Sequence, residues 1–275
     1  MGSLWEMTAF ILHSLGAKDQ QNIAYATVYN VLFLLAPLWI NAFVYMTFAR
    51  MVFYFTADQK VWRVKAVSLA KYFVWLDIGS FIVQAVGGTM ATPGASPQIV
   101  QTGINVYMAG IGIQEAFILF FVGLMVVFHR RSEAVEKAGM HIRENSWRPL
   151  LYALYAVLVL ITIRIIYRIA EFAGGITPSN PIPFHEEYAY ALDAFPMMLA
   201  ILILAVFHPG RTLVGVDSEF PRLTRKEKKA IKKAKKDAKK ADKEAKKEEK
   251  AAKKAEKVAR KEKSNTMDYG SDEAC

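Results

Sequence analysis

The sequence predicts an all-α, multi-pass transmembrane helical bundle: five full spans, a short N-terminal apolar segment before them and a charged cytosolic tail after them. Three observations predict it. Five apolar runs, at about 24–48, 72–92, 104–128, 150–173 and 188–207, each reach the ~20 residues that cross ~30 Å of hydrocarbon. Basic and non-basic connections alternate between those runs. Polar and charged residues inside the runs recur three and four apart, the spacing of one helical face. A soluble fold would need several helices hydrophobic all round within one small domain, and that alternative is set aside.

Taken in order, residues 1–22 form a short N-terminal segment. Its apolar part, Leu4 to Leu15, is too short to span a membrane alone and has no basic n-region, so it reads as an interfacial segment or the remnant of a helix. Residues 23–211 form the transmembrane domain. Arg50, Lys60, Arg63, Lys65 and Lys71 mark the connection 50–71, and Arg130, Arg131, Lys137, Arg143 and Arg148 mark 129–149. The connections 93–103 and 174–187 hold no lysine or arginine. The positive-inside rule puts 50–71, 129–149 and the tail in the cytosol. The other two connections are short and rich in turn formers, with Pro93, Gly94 and Pro97 in one and Gly174, Gly175, Pro178, Pro181 and Pro183 in the other. Tyr54, Trp62, Trp75, Trp147, Tyr152 and Tyr188 lie near span ends, where interfacial anchors belong.

Residues 212–275 form a Lys-rich tail, helical or disordered. Arg225–Lys263 holds 20 basic and 8 acidic residues, which accounts for the net charge of +10 and leaves residues 1–224 near neutral. The basic character therefore belongs to the tail, and nucleic acid is not an expected partner. Electrostatic attraction to anionic lipids of the cytosolic leaflet is. Cys275 is the one cysteine, so no disulfide forms within the chain.

The candidate site is a polar seam within the spans. Arg164, Arg168 and Glu171 share one helical face, and Glu186, Tyr190 and Asp193 share another on the next run. Asp77, Ser80, Gln84, Gly87 and Gly88 form a stripe on the second full span, and Glu115 lies near the middle of the third. Pro37, Asn41 and Tyr45 recur at four-residue spacing on the first, with Pro37 expected to kink it. Charges cost roughly 2.5–3.5 kcal/mol each at a bilayer centre, so they should face inward and pair. Counted depth suggests Arg168 with Asp193 and Arg164 with Glu115, and puts Asp77 near the cytosolic end without a partner. No HExxH, GxSxG or Walker A motif occurs and the histidines are not spaced as metal ligands, so no enzyme, metal or cofactor is expected.

One set of residues carries a family resemblance: Ala36-Pro37, Tyr45 and Arg50; Asp77, Ser80, Gln84, Gly87 and Gly88; Arg164-x-x-Tyr167-Arg168-x-x-Glu171 with Gly175; His185-Glu186, Tyr190, Asp193 and Pro196; and His208-Pro209-Gly210. Across residues 5–211 the chain resembles the fungal RTA-like family of lipid-translocating exporters, named for resistance to aminocholesterol. The resemblance implies a multi-pass protein linked to sphingoid-base release and tolerance of toxic amphiphiles, at the plasma membrane or another endomembrane. Family members normally have seven spans, and here a family Glu followed by Gly-Tyr and Arg is matched by Glu6, with Ala9-Phe10 and His13 in the other places. That implies a truncated gene model or a shortened paralogue.

Two functions compete. The seam holds Asp77, Glu115, Glu171 and Asp193 against two arginines, with Glu186 at its mouth. That acid surplus suits a translocator or exporter of membrane lipids or cationic amphiphiles, working without an ATP-binding motif. The alternative is a membrane sensor of lipid or stress, akin to seven-helix receptors. An integral-membrane enzyme has only the polar seam in its favour.

Overall fold

The computed structural model describes residues 2–18, 23–91, 94–139, 146–175, 180, 182, 185–214 and 220. Its elements run α1 (Gly2–Lys18), α2 (Ile23–Phe55), β1 (Lys60–Val61), β2 (Val64–Lys65), α3 (Ala66–Met90), α4 (Pro97–Lys137), α5 (Arg148–Ala173), α6 (Glu186–Ala189), a π-helical turn (Tyr190–Ala194), α7 (Phe195–Val206) and α8 (Pro209–Thr212). Five helical stretches are long and apolar enough to cross a membrane: Val31–Phe55, Ala66–Met90, Pro97–Lys137, Arg148–Ala173 and Glu187–Thr212. This is the multi-pass all-α architecture that the apolar runs predict. The Lys-rich tail from Arg225 onward and the side chain of Glu186 lie outside the described residues.

Each span has a lipid-facing and a bundle-facing side. Ile82, Val86, Leu119, Val159, Ile166 and Leu202 are more than half exposed, an arrangement suited to hydrocarbon and not to water. The inner sides meet in an aromatic core. The Phe121 ring of α4 packs against Tyr45 (4.6 Å), Phe48 (5.2 Å) and Phe73 (5.0 Å), and Phe48 also meets Phe128 (5.5 Å). All four are edge-to-face contacts, an orientation the ring quadrupole favours.

α1 is a helix of 17 residues. It lies antiparallel along the first half of α2, with ring contacts Trp5–Trp39 (6.1 Å), Phe10–Phe33 (5.9 Å) and His13–Tyr29 (4.6 Å). Ala9 is fully buried between them. α2 remains helical through Pro37.

α3 and α4 approach backbone to backbone. A Cβ on Gly87 would collide with the Tyr107 amide, one on Gly103 would stand 2.7 Å from the Gly87 carbonyl, and one on Gly110 would stand 2.7 Å from Gln84 Cγ. Gly88 is a correction to the expected stripe: it faces open space. Asp77, Ser80, Gln84 and Gly87 are buried.

At 41 residues, α4 is about 60 Å long, roughly twice the hydrocarbon thickness, and its C-terminal turns clamp both basic connections. Arg131 pairs with Asp58 at 2.7 Å and holds that carboxyl below its ordinary range. Glu136 pairs with Arg148 at 2.7 Å and accepts from Trp147 Nε1 at 3.1 Å. Trp147 is thus buried structure, not a lipid anchor, and so is Tyr54, whose hydroxyl donates to the Val214 carbonyl at 2.8 Å. Trp62, Trp75, Tyr152 and Tyr188 do present exposed rings. Between α2 and α3 the chain makes a two-stranded hairpin, Lys60 opposite Lys65 and Val61 opposite Val64.

Candidate functional site

Asp193 is the hub. It lies in the π-helical turn, where the Phe195 amide reaches back five residues to the Tyr190 carbonyl. Pro196 follows directly and has no N–H for the α-helical ladder, so the wider turn fits at that point. The turn directs the buried Asp193 carboxylate onto α5, where Oδ1 accepts from Arg164 Nε and Oδ2 lies 2.6 Å from Arg168 Nε. Arg168 also donates to Glu171 at 2.8 Å, one turn along the same helix. The expected Arg168–Asp193 pair is present. The expected Arg164–Glu115 pair is not, because Arg164 takes the second oxygen of Asp193, and Glu115 accepts from Thr162 Oγ1 at 3.1 Å instead.

Three further residues complete this cluster. Phe33 of α2 lies under both guanidinium groups, its ring centre 4.9 Å from Arg168 Cζ and 5.6 Å from Arg164 Cζ. Glu6 of α1 is half-buried and lies within electrostatic reach of Arg164 and Asp193. Asn180 donates to the carbonyls of Glu171 (3.0 Å) and Gly175 (3.1 Å), closing the C-terminal end of α5. Neither Phe33 nor Asn180 is singled out by the sequence. A Phe in an apolar run carries no polar signal, and Asn180 sits among turn residues where asparagine is ordinary. Tyr190 faces outward, 46% exposed, with its ring stacked on Phe10 at 6.1 Å.

A second, uncharged-partner layer lies deeper. Asp77 sits near the middle of α3, not near its N-terminal end, because α3 begins at Ala66, several residues before the apolar run does. It has a partner after all: Asn41 Nδ2 donates to Asp77 Oδ2 at 3.1 Å. The fully buried Tyr45 hydroxyl stands beside the same carboxylate without hydrogen-bond geometry, and Asp77 Oδ1 and Glu115 Oε2 are likewise buried without a bond. Gln84 Nε2 donates to Gln114 Oε1 at 2.8 Å, linking α3 to α4. So the predicted seam resolves into two groups. Arg164, Arg168, Glu171 and Asp193 converge in one, and Asp77, Gln84 and Glu115 belong to the other. Among the described residues no group of three His, Cys, Asp or Glu side chains could hold a metal ion.

The family described as "RTA1 like protein" matches residues 1–215. The chain belongs to the RTA1-like family. Among curated relatives, the "Probable lipid transporter atnI" of Emericella nidulans is 47% identical over 235 residues, covering 83% of this chain and 61% of that protein. "Protein RTA1" of Saccharomyces cerevisiae is 30% identical over 219 residues, covering 79% of this chain and 67% of that one. The "Sphingoid long-chain base transporter RSB1" of the same species is 28% identical over 184 residues, covering 54% and 47%. This RTA1-like chain thus spans about two thirds or less of the length of these relatives. No solved structure matches it.

Proposed function

We propose that this chain moves lipids or lipid-like amphiphiles across or out of a membrane, and that its substrates are cationic amphiphiles of the sphingoid-base kind. The observation that carries the reading is the charge balance of the buried site. Glu6, Glu171 and Asp193 face two arginines, and Asp77 and Glu115 face no cation among the described residues. Buried carboxylates without a counter-charge are costly unless a partner or a proton reaches them. An amine-bearing amphiphile supplies the partner while its chain stays in hydrocarbon. The printed names of relatives, a probable lipid transporter and a sphingoid long-chain base transporter, point the same way. In this reading the basic connections and the tail are cytosolic, the tail meets anionic lipid, and the protein works at the plasma membrane.

The test is flux of a labelled sphingoid base in vesicles holding the purified chain, with Asp77→Asn beside it. The substituted side chain keeps an oxygen for Asn41 to donate to, so incorporation should be unchanged while flux falls by about tenfold or more. Undiminished flux at equal incorporation removes Asp77 from the substrate path. Binding of the base with no flux in the unaltered chain points to the sensor reading.

A further inference from the structure

Two cavities adjoin at the C-terminal end of α5, and they differ in chemistry. One is a chamber of about 90 Å³ lined by Glu171, by the rings of Phe10, Tyr29 and Phe33, and by the imidazoles of His13 and His185. The other is an open groove of about 440 Å³ along the lipid-facing side of α5, walled by Ile163, Ile166, Ala170 and Leu192. Tyr167 and Ile182 line both, so these two side chains form the shared wall.

The geometry points to a two-part site for a single-chain amphiphile with an amine head: the ammonium in the chamber beside Glu171, the chain in the groove, and entry sideways from the lipid past Tyr167 and Ile182. This rests on the translocator reading for the ligand class, but the site itself stands on the cavities. A carboxylate in an aromatic-lined chamber is the chemistry that holds an ammonium. Size narrows the class. The chamber is far smaller than the groove, so a compact head fits there and a long chain does not. The groove falls in the ~300–1,000 Å³ range of ligand pockets and its lining is almost wholly apolar, as a hydrocarbon chain requires. Arg168 sets the competition. It already holds Glu171 Oε2 at 2.8 Å and stands over Phe33, so an arriving ammonium competes with a guanidinium that keeps Asp193 as its other partner.

The experiment uses the full chain in phosphatidylcholine vesicles and a long-chain primary amine carrying a photoreactive diazirine on its chain. Label should concentrate on Ile163–Ala170 and Tyr188–Leu192. Ala170→Trp fills the groove from an exposed position and should cut that label about tenfold. Val159→Trp, on the lipid-facing side of the same helix but outside the groove, should leave it unchanged. The matching long-chain alcohol should label less than the amine, and Glu171→Gln should abolish the difference. Label spread evenly over lipid-facing helices, or indifferent to Ala170→Trp, overturns the site. Equal labelling by amine and alcohol in the unaltered chain overturns the ammonium assignment. Groove labelling that is sensitive to Ala170→Trp in a chain that carries no flux leaves this site standing while the translocator reading falls.

Discussion

A single carboxylate, Asp193, bridges two guanidinium groups, and its two oxygens are divided between them. Glu171 backs up Arg168, while no comparable second acid touches Arg164 among the described residues; Glu6 acts on it from a distance. Asp193→Asn should therefore orphan Arg164 more completely than Arg168. Removing one partner of a buried pair costs about 3–5 kcal/mol, so abundance and thermal stability in detergent should both fall. Asp77→Asn is the contrast, because it strands no cation and should leave abundance unchanged. Equal abundance of Asp193→Asn and the unaltered chain would show that the bridge from Asp193 to Arg164 and Arg168 is not structural. The sequence makes much of this site legible, since charges in apolar runs must turn inward and their helical spacing groups them by face. It gives one partner pair, Arg168 with Asp193, and misses the others. Counting depth along idealised helices misses the π turn, which re-aims Asp193 between the two arginines, and it misses a neutral partner such as Asn41 or Thr162, which carries no charge to match.

At the scale of elements, the α3–α4 contact rests on missing side chains. Gly87 meets Tyr107, Gly103 meets the Gly87 carbonyl and Met90, and Gly110 meets Gln84 and Ser80. Within a membrane no hydrophobic force drives helices together, so close packing of small residues carries the association. Gly103→Ala puts a methyl group 2.7–2.8 Å from backbone atoms that cannot yield cheaply, and overpacking of this kind typically costs ~1–3 kcal/mol. We expect a lower melting temperature and a weakened Gln84–Gln114 bridge. Gly88→Ala and Gly112→Ala face open space and should melt as the unaltered chain does. If Gly103→Ala matched those two, the close approach of α3 and α4 would be refuted. Gly103, Tyr107 and Gly110 recur at helical spacing, so this face could have been read from the sequence. The five spans were readable for the same reason, since length and apolarity suffice. α1 was not, because its apolar run, Leu4 to Leu15, is too short to span alone, and the aromatic residues of α2 that meet it, Phe33 and Trp39, carry no polar signal.

For the whole molecule, the decisive quantity is orientation, and the fold supplies positions at which to measure it. One end of the bundle carries the hairpin with Lys60 and Lys65 and the basic C-terminal turns of α4, tied together by Arg131–Asp58 and Arg148–Glu136. The other end carries the short connections without lysine or arginine, including His185, whose side chain is 57% exposed. Translocating a cluster of basic residues is disfavoured, so the basic end should remain cytosolic. The measurement starts from a Cys275→Ser background, which removes the one native thiol. His185→Cys should react with a membrane-impermeant thiol reagent in intact cells. Trp62→Cys, at an exposed site in the hairpin, should react only after the membrane is opened. The native Cys275, tested in the unaltered chain, should behave as Trp62→Cys does. A labelled Trp62→Cys with a protected His185→Cys inverts the bundle, and the chamber beside Glu171 would then open toward the cytosolic leaflet. Reaction of both in intact cells would mean that α5 and the Glu187–Thr212 span do not cross as a pair.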